Sequence, residues 1–273
     1  MAGQPRERSE GLSAMATELA PEPLEIAGYR ATLHFATARD DFDSVLSVYN
    51  YYGHAYRNST PAETDADLTV RLFEETGKEV ARRQCPVATG DTAHIRMSEV
   101  YPEFRGLVAT TMVPRGRMGR LSKREGIPSR PIATSYFMLY ERHGKFRDFS
   151  HELFLARDSV DPKVAEWASL IYLDEGMRAG VVIMNNRPLC VGLEYGSQAE
   201  IAVGTLDGGQ ITPPHRLSLP PGGSVLAMLD EVFPDLGVPT DGRAWSVVVR
   251  GTHIEQPMTI HLHASGDFNL HHF

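Results

Sequence analysis

A six-residue pattern, Glu99-Val100-Tyr101-Pro102-Glu103-Phe104, returns 132 positions later as Glu231-Val232-Phe233-Pro234-Asp235-Leu236. Both copies run acid, β-branched, aromatic, proline, acid, apolar. Similarity at a fixed spacing constrains a chain strongly, because each copy must build the same supersecondary unit. The flanks extend the match. Residues 85–97, with a turn at Thr89-Gly90-Asp91, align at the same spacing with 217–229, with a turn at Pro220-Pro221-Gly222-Gly223. Two apolar runs follow each anchor, at 106–113 and 132–140 in the first half and at 244–249 and 258–263 in the second. Upstream, 29–35 and 44–49 resemble 167–173 and 180–184. The pattern predicts two copies of one unit, 29–158 and 162–273, with an insertion at 114–131 in the first.

Side-chain alternation says what the unit is made of. Apolar and polar residues alternate through Thr32-Leu33-His34-Phe35. They alternate again where Leu68, Val70 and Leu72 flank Thr69 and Arg71, and where Ala93, Ile95 and Met97 flank His94 and Arg96. A period of two is the mark of a half-buried strand. Thr76-Gly77-Lys78 and Asp174-Glu175-Gly176 read as hairpin turns. The proline of each anchor cannot join a strand ladder, so the anchor predicts a short helical turn or crossover. No segment keeps a 3.6-residue period over a dozen positions. The expectation is all-β, with about seven strands per unit, as two tandem Ig-like antiparallel β-sandwiches from an internal duplication.

Within the second half, Val232-Phe233-Pro234, Ala244-Trp245-Ser246-Val247-Val248-Val249 and Gln256-Pro257-Met258-Thr259-Ile260 follow one another. This succession resembles part of the small Ig-like β-sandwich of the sensory-rhodopsin-transducer type. The resemblance implies a non-catalytic, oligomeric binding or signalling module and assigns no functional residues.

A net charge of −8 argues against nucleic acid as partner, since phosphate binding needs a basic surface. No apolar run approaches the roughly 20 residues that span a bilayer. Residues 1–28 are rich in Glu, Pro, Ala and Ser and lack the apolar stretch of a secretory signal, which predicts a disordered tail and a cytoplasmic protein. Cys85 and Cys190 fit neither a CxxC nor a zinc spacing and read as buried free thiols.

Four clusters could carry chemistry. The insertion holds Arg115, Arg117, Arg120, Lys123, Arg124 and Arg130 against one acid, Glu125, a patch suited to an acidic protein partner or a small acidic ligand. His261 and His263 lie two apart on one strand and so share a face, with Ile260 and Leu262 turned to the core. With His271, His215 or Glu255 as a third ligand, they could hold a transition metal. His151 lies beside Asp148 and Glu152, but on a strand His151 and Glu152 point to opposite faces, against an acid–base dyad. Tyr49, Tyr51, Tyr52 and Tyr56 could stack on a sugar or peptide. No P-loop, dinucleotide fingerprint or nucleophile elbow is present. The sequence reads as a non-enzymatic cytoplasmic binding or adaptor module, homo-oligomeric through exposed strand edges. The alternative is a metal-dependent enzyme or metal-binding protein using the His-x-His strand.

Overall fold

The computed structural model describes residues 31–56, 59–116, 135–151, 153–154, 164–172, 176–185, 196–237, 244–252, 254 and 256–272. All ladders are antiparallel, and the strands fall into four small sheets. Sheet 1 runs β4 (Glu79–Val87), β3 (Ala66–Glu74), β6 (Arg105–Pro114), β1 (Thr32–Thr37), β9 (Leu153–Phe154). Sheet 2 runs β5 (Thr92–Arg96), β2 (Phe42–Tyr49), β7 (Ser135–Arg142), β8 (Lys145–His151). Sheet 3 runs β10 (Val164–Ile171), β15 (Trp245–Thr252), β12 (Ser197–Gly204), β13 (His215–Leu219). Sheet 4 runs β14 (Ser224–Met228), β11 (Arg178–Met184), β16 (Met258–Leu262), β17 (Phe268–His272).

The four sheets stand as four blades in a propeller-like arrangement, in which sheet 3 packs on sheet 4 and sheet 4 packs on the first half. This overturns the expectation of two tandem Ig-like sandwiches, and with it the picture of a repeat whose copies each close on a centre of their own. Leu33, Leu68 and Tyr140 of the first half share one apolar cluster with Val182, Met184, Ile260 and Phe268 of the second. Alternation marks a strand and its two faces, but it does not say which strands share a ladder. Backbone hydrogen bonds pair any two extended segments, and packing chooses among them. Thus β10 and β11, expected as a hairpin around 174–176, lie in different sheets. Strand order still corresponds between sheets, β5-β2-β7-β8 beside β14-β11-β16-β17.

One helical turn leads into each anchor and takes in its first two residues, α3 (Met97–Val100) and α4 (Leu229–Val232). Both turns stop before the proline, because the residue ahead of proline is pushed out of the α region. Tyr101 is extended there, at φ −151 and ψ 105, and Phe233 has also left the α region, at φ −130 and ψ 76. Two further single turns, α1 (Tyr52–Ala55) and α2 (Pro61–Thr64), cover the end of sheet 1. Asn50 is fully buried beside them and donates to Thr64 O at 3.0 Å and Val87 O at 2.9 Å. Asn185 holds the end of β11 in the same manner, donating to Pro220 O at 3.0 Å.

The halves interlock through backbone. Gly77, at φ +81, brings the β3–β4 turn so close to Pro221 that a Cβ would overlap the Pro221 carbonyl oxygen. Beside it, Ser224 N donates to Glu75 O at 3.2 Å. A second seam joins β8 to β17. Leu270 N donates to Asp148 Oδ2 at 2.6 Å, Arg147 pairs with Asp267, and the Phe268 ring meets Phe42 edge-on at 5.0 Å.

Sheet 4 is covered on both faces. Val182, Met184 and Ile260 face the large cluster; Ala179, Val181 and Ile183 face a second cluster with Ile201, Val247 and Val249 of sheet 3. Each buried Val, Ile or Met among these contributes roughly 1.5–3 kcal/mol. Sheet 3 gives only one face to that packing, and among the described residues its other face is left open to solvent.

Candidate functional site: the open face of sheet 3

Register builds this face in rows across the strands β10, β15, β12 and β13. Glu166 lies opposite Arg250, Arg250 opposite Glu200, and Glu200 opposite Arg216. Charges therefore alternate along the row. Arg250 Nε donates to Glu166 Oε2 at 2.7 Å, and Arg216 Nε to Glu200 Oε1 at 2.9 Å. One step along the strands, the same face carries Ala168, Val248 and Ala202; one step further it carries Leu170, Ser246 and Gly204. Directly opposed side chains stand about 5 Å apart, so the rows are continuous.

The connection from β12 to β13 forms a rim. Thr205 N donates to Gly209 O at 2.7 Å, and Ile211 N and Thr212 N both donate to Val203 O, at 2.9 and 3.0 Å. Thr212 Oγ1 accepts from Val203 N at 2.9 Å. Gly208 takes φ +90, which a side chain would strain. Between rim and charged row lies a concavity of about 320 Å³, floored by Ala202 and Val248 and edged by Glu166, Arg250 and Gly209.

This face is also where large apolar side chains meet solvent. Val164, Leu170, Tyr172, Leu206 and Ile211 are exposed by 63, 48, 59, 58 and 43%. All five lie on β10, directly after it, or on the rim, whereas the rest of the described surface adds only Tyr101 and Phe146. Both carboxylates of the concavity pair with arginines, and its lining holds no histidine or cysteine.

None of the described candidate site residues singled out from the sequence lines this concavity. Arg115 is tied to Asp67, Nε to Oδ1 at 3.0 Å, while Arg117, Arg120, Lys123, Arg124 and Arg130 lie outside the described residues. His261 does not face solvent. Sheet 4 is packed on both sides, so the face opposite Ile260 is also interior, and His261 is only 6% exposed with no hydrogen-bond partner at Nε2. Burial, and then the charges of His271 and His263, lower its pKa to about 4. The His271 ring lies 6.3 Å from that of His261 and is itself exposed. Among the described residues no group of three or more His, Cys, Asp or Glu side chains is arranged to hold a metal. His215 packs against Phe233, with ring centroids 6.2 Å apart, and Glu255 lies outside the described residues.

Asp148 serves the β8–β17 seam; Glu152 and the His151 side chain lie outside the described residues. Tyr52 and Tyr56 are core residues, and Tyr52 donates its hydroxyl to Met112 O at 2.9 Å, so they present no stacking surface. Cys85 is half-buried and burial pushes its thiol pKa up, while Cys190 lies outside the described residues. The open face went unread in the sequence because its charges come from four separated strands. The available signal was the alternation of Glu166, Ala168 and Leu170 against inward Trp167 and Ile171.

No family model matches the chain, and no curated protein matches it. Solved structures give faint overlays. One is vicilin from Capsicum annuum, 11% identical, TM-score 0.17, over 86% of this chain and 78% of that one. Another is the exo-chitosanase CsxA of Amycolatopsis orientalis, 12% identical, TM-score 0.16, over 88% of this chain and 26% of that one. This chain thus spans about a quarter of the exo-chitosanase chain it overlays. Overlays this weak support no statement about fold or function.

Proposed function

We propose that this chain is a non-enzymatic cytoplasmic binding or adaptor module that meets a protein partner through the open face of sheet 3. One observation carries the reading: an exposed apolar floor and concavity bordered by a row of paired charges. Contiguous apolar surface rimmed by polar groups is the usual make-up of a protein contact site. Among the described residues, no helix is long and apolar enough to cross a membrane.

The test is site-specific photocrosslinking in lysate of the source cells, with a benzophenone side chain at Ala168 and, as control, at exposed Tyr101. Adducts to polypeptide from position 168 alone, abolished by Ala202→Arg, are expected. Equal yields from the two positions would remove the proposal.

A further inference from the structure

Resting on that reading of the open face, we infer that its partner is a second copy of this chain, docked about a two-fold axis parallel to the strands and lying between β15 and β12. The argument is one of symmetry. Across sheet 3 the charged row reads Glu166, Arg250, Glu200, Arg216, which is minus, plus, minus, plus. A face-to-face copy related by that axis presents the row in reverse. Glu166 then meets the second copy's Arg216, and Arg250 meets the second copy's Glu200. All four charges of each copy face an opposite charge. An axis perpendicular to the strands would set like against like, and a palindromic row would do so about either axis. Alternation along an even number of strands is thus self-complementary, as a closed two-fold interface requires.

The apolar side chains obey the same operation. Leu206 and Ile211 stand on the rim, at the β12–β13 side; Leu170 and Tyr172 stand at the β10 side of the same end. Reversal carries the rim of each copy over Leu170 and Tyr172 of the other. The floor between, Ala168, Val248 and Ala202, is short enough for two sheets to approach to about 10 Å, the ordinary spacing of stacked sheets. The two concavities meet on the axis as a shared chamber, as wet interfaces often have.

Area sets the strength. Four strands about 4.8 Å apart and about eight residues of roughly 3.3 Å each give about 500 Å² per copy. The total, about 1,000 Å², sits at the lower bound for a specific interface, so the dimer is weak, with a Kd of roughly micromolar order.

Sedimentation equilibrium of the full chain tests this, with Glu166→Arg, Arg216→Glu and their equimolar mixture. Glu166 and Arg216 are exposed by 53 and 81% in their side chains, so folding should survive, and circular dichroism checks it. Wild type is expected to show a concentration-dependent monomer–dimer equilibrium. Each variant alone should dimerise at least about ten-fold more weakly, because each places like charges together twice. The mixture should recover the wild-type constant, since every contact in the mixed dimer is again opposite. Leu206→Asp, which leaves the charged row intact, should weaken association without rescue by either variant.

A wild type that stays monomeric at about 100 μM, far above a micromolar Kd, would overturn the inference. So would variants that dimerise unchanged, or a mixture that stays dissociated. Position 168 crosslinked only to a different polypeptide, with monomeric wild type, would remove the dimer and leave the adaptor reading in place. Crosslinks from 168 to residues 1–30 of the same monomer would remove both.

Discussion

Arg250, in the interior of sheet 3, reaches Glu166 on the edge strand, Nε to Oε2 at 2.7 Å, with both side chains about half exposed. An exposed pair of this kind adds little stability, about 0–1 kcal/mol. Its importance is positional. Together with Arg216 and Glu200 it makes a charged border beside an apolar floor, on a face the core does not use.

Replacing Gly77 by alanine should uncouple the halves. The residue has φ +81 and a Cβ would overlap the Pro221 carbonyl oxygen, so backbone must move. A loss of about 2–4 kcal/mol in urea unfolding is expected. A change below about 0.5 kcal/mol would show that the two turns do not dock as described.

Glu79 should be the most costly carboxylate to neutralise. It bonds Arg71 Nη2 at 2.6 Å and Arg82 Nε at 2.8 Å, with Glu79 and Arg71 side chains 6 and 5% exposed. Burial alone would raise its pKa, but hydrogen bonds from Arg82 and Arg71 and their charges outweigh burial and hold it below the usual carboxylate value. A depressed carboxylate contributes stability above its unfolded pKa and loses it as pH falls through the folded one. Glu79→Gln should therefore cost roughly 2–4 kcal/mol at pH 7 and flatten the acid limb of the stability curve below about pH 4.5. An unchanged acid limb in the variant would count against this assignment.

His261 should make the fold acid-sensitive at higher pH than the carboxylates do. Its pKa falls from an ordinary 6.5 to about 4 in the fold, through burial first and His271 and His263 next. The unfolded chain thus binds the extra proton between these values, and stability declines as pH drops from about 6.5 towards 4. The decline attributable to this residue is at most on the order of 3 kcal/mol. His261→Leu should remove that slope and be close to neutral at pH 7.5, since Nε2 has no partner to lose. Chemical unfolding of both proteins from pH 4 to 7.5 reads the difference; parallel curves would contradict it.

Metal analysis separates the recognition reading from the metal-dependent alternative. Elemental analysis of chelator-free protein should find no stoichiometric transition metal, because the His261 ring is interior while His271 is exposed. One equivalent of metal, lost in both His261→Ala and His263→Ala, would restore the alternative.

The local structure was readable in advance, because its causes are local. Leu68, Val70 and Leu72 alternate with Thr69 and Arg71 and form β3; Thr76-Gly77-Lys78 turns it into β4. Proline stops both anchors after a single helical turn. The candidate site was not readable. Glu166 and Glu200 are 34 residues apart, and Arg216 and Arg250 are again 34 apart, with nothing in either spacing to place them on one row. The burial of His261 was hidden for a related reason. Alternation correctly gave His261 and Ile260 opposite faces, but it could not show that both faces of sheet 4 would be covered.

Taken alone, the sequence determined where the chain extends, where it turns, and which side chains share a strand face, since steric preference and side-chain period act over a few residues. Tertiary structure alone decided which strands lie together, that sheet 4 is interior on both sides, and that the outer face of sheet 3 stays open. Ladder hydrogen bonds are alike for every strand, so partner choice falls to long-range packing, whose terms no short stretch contains.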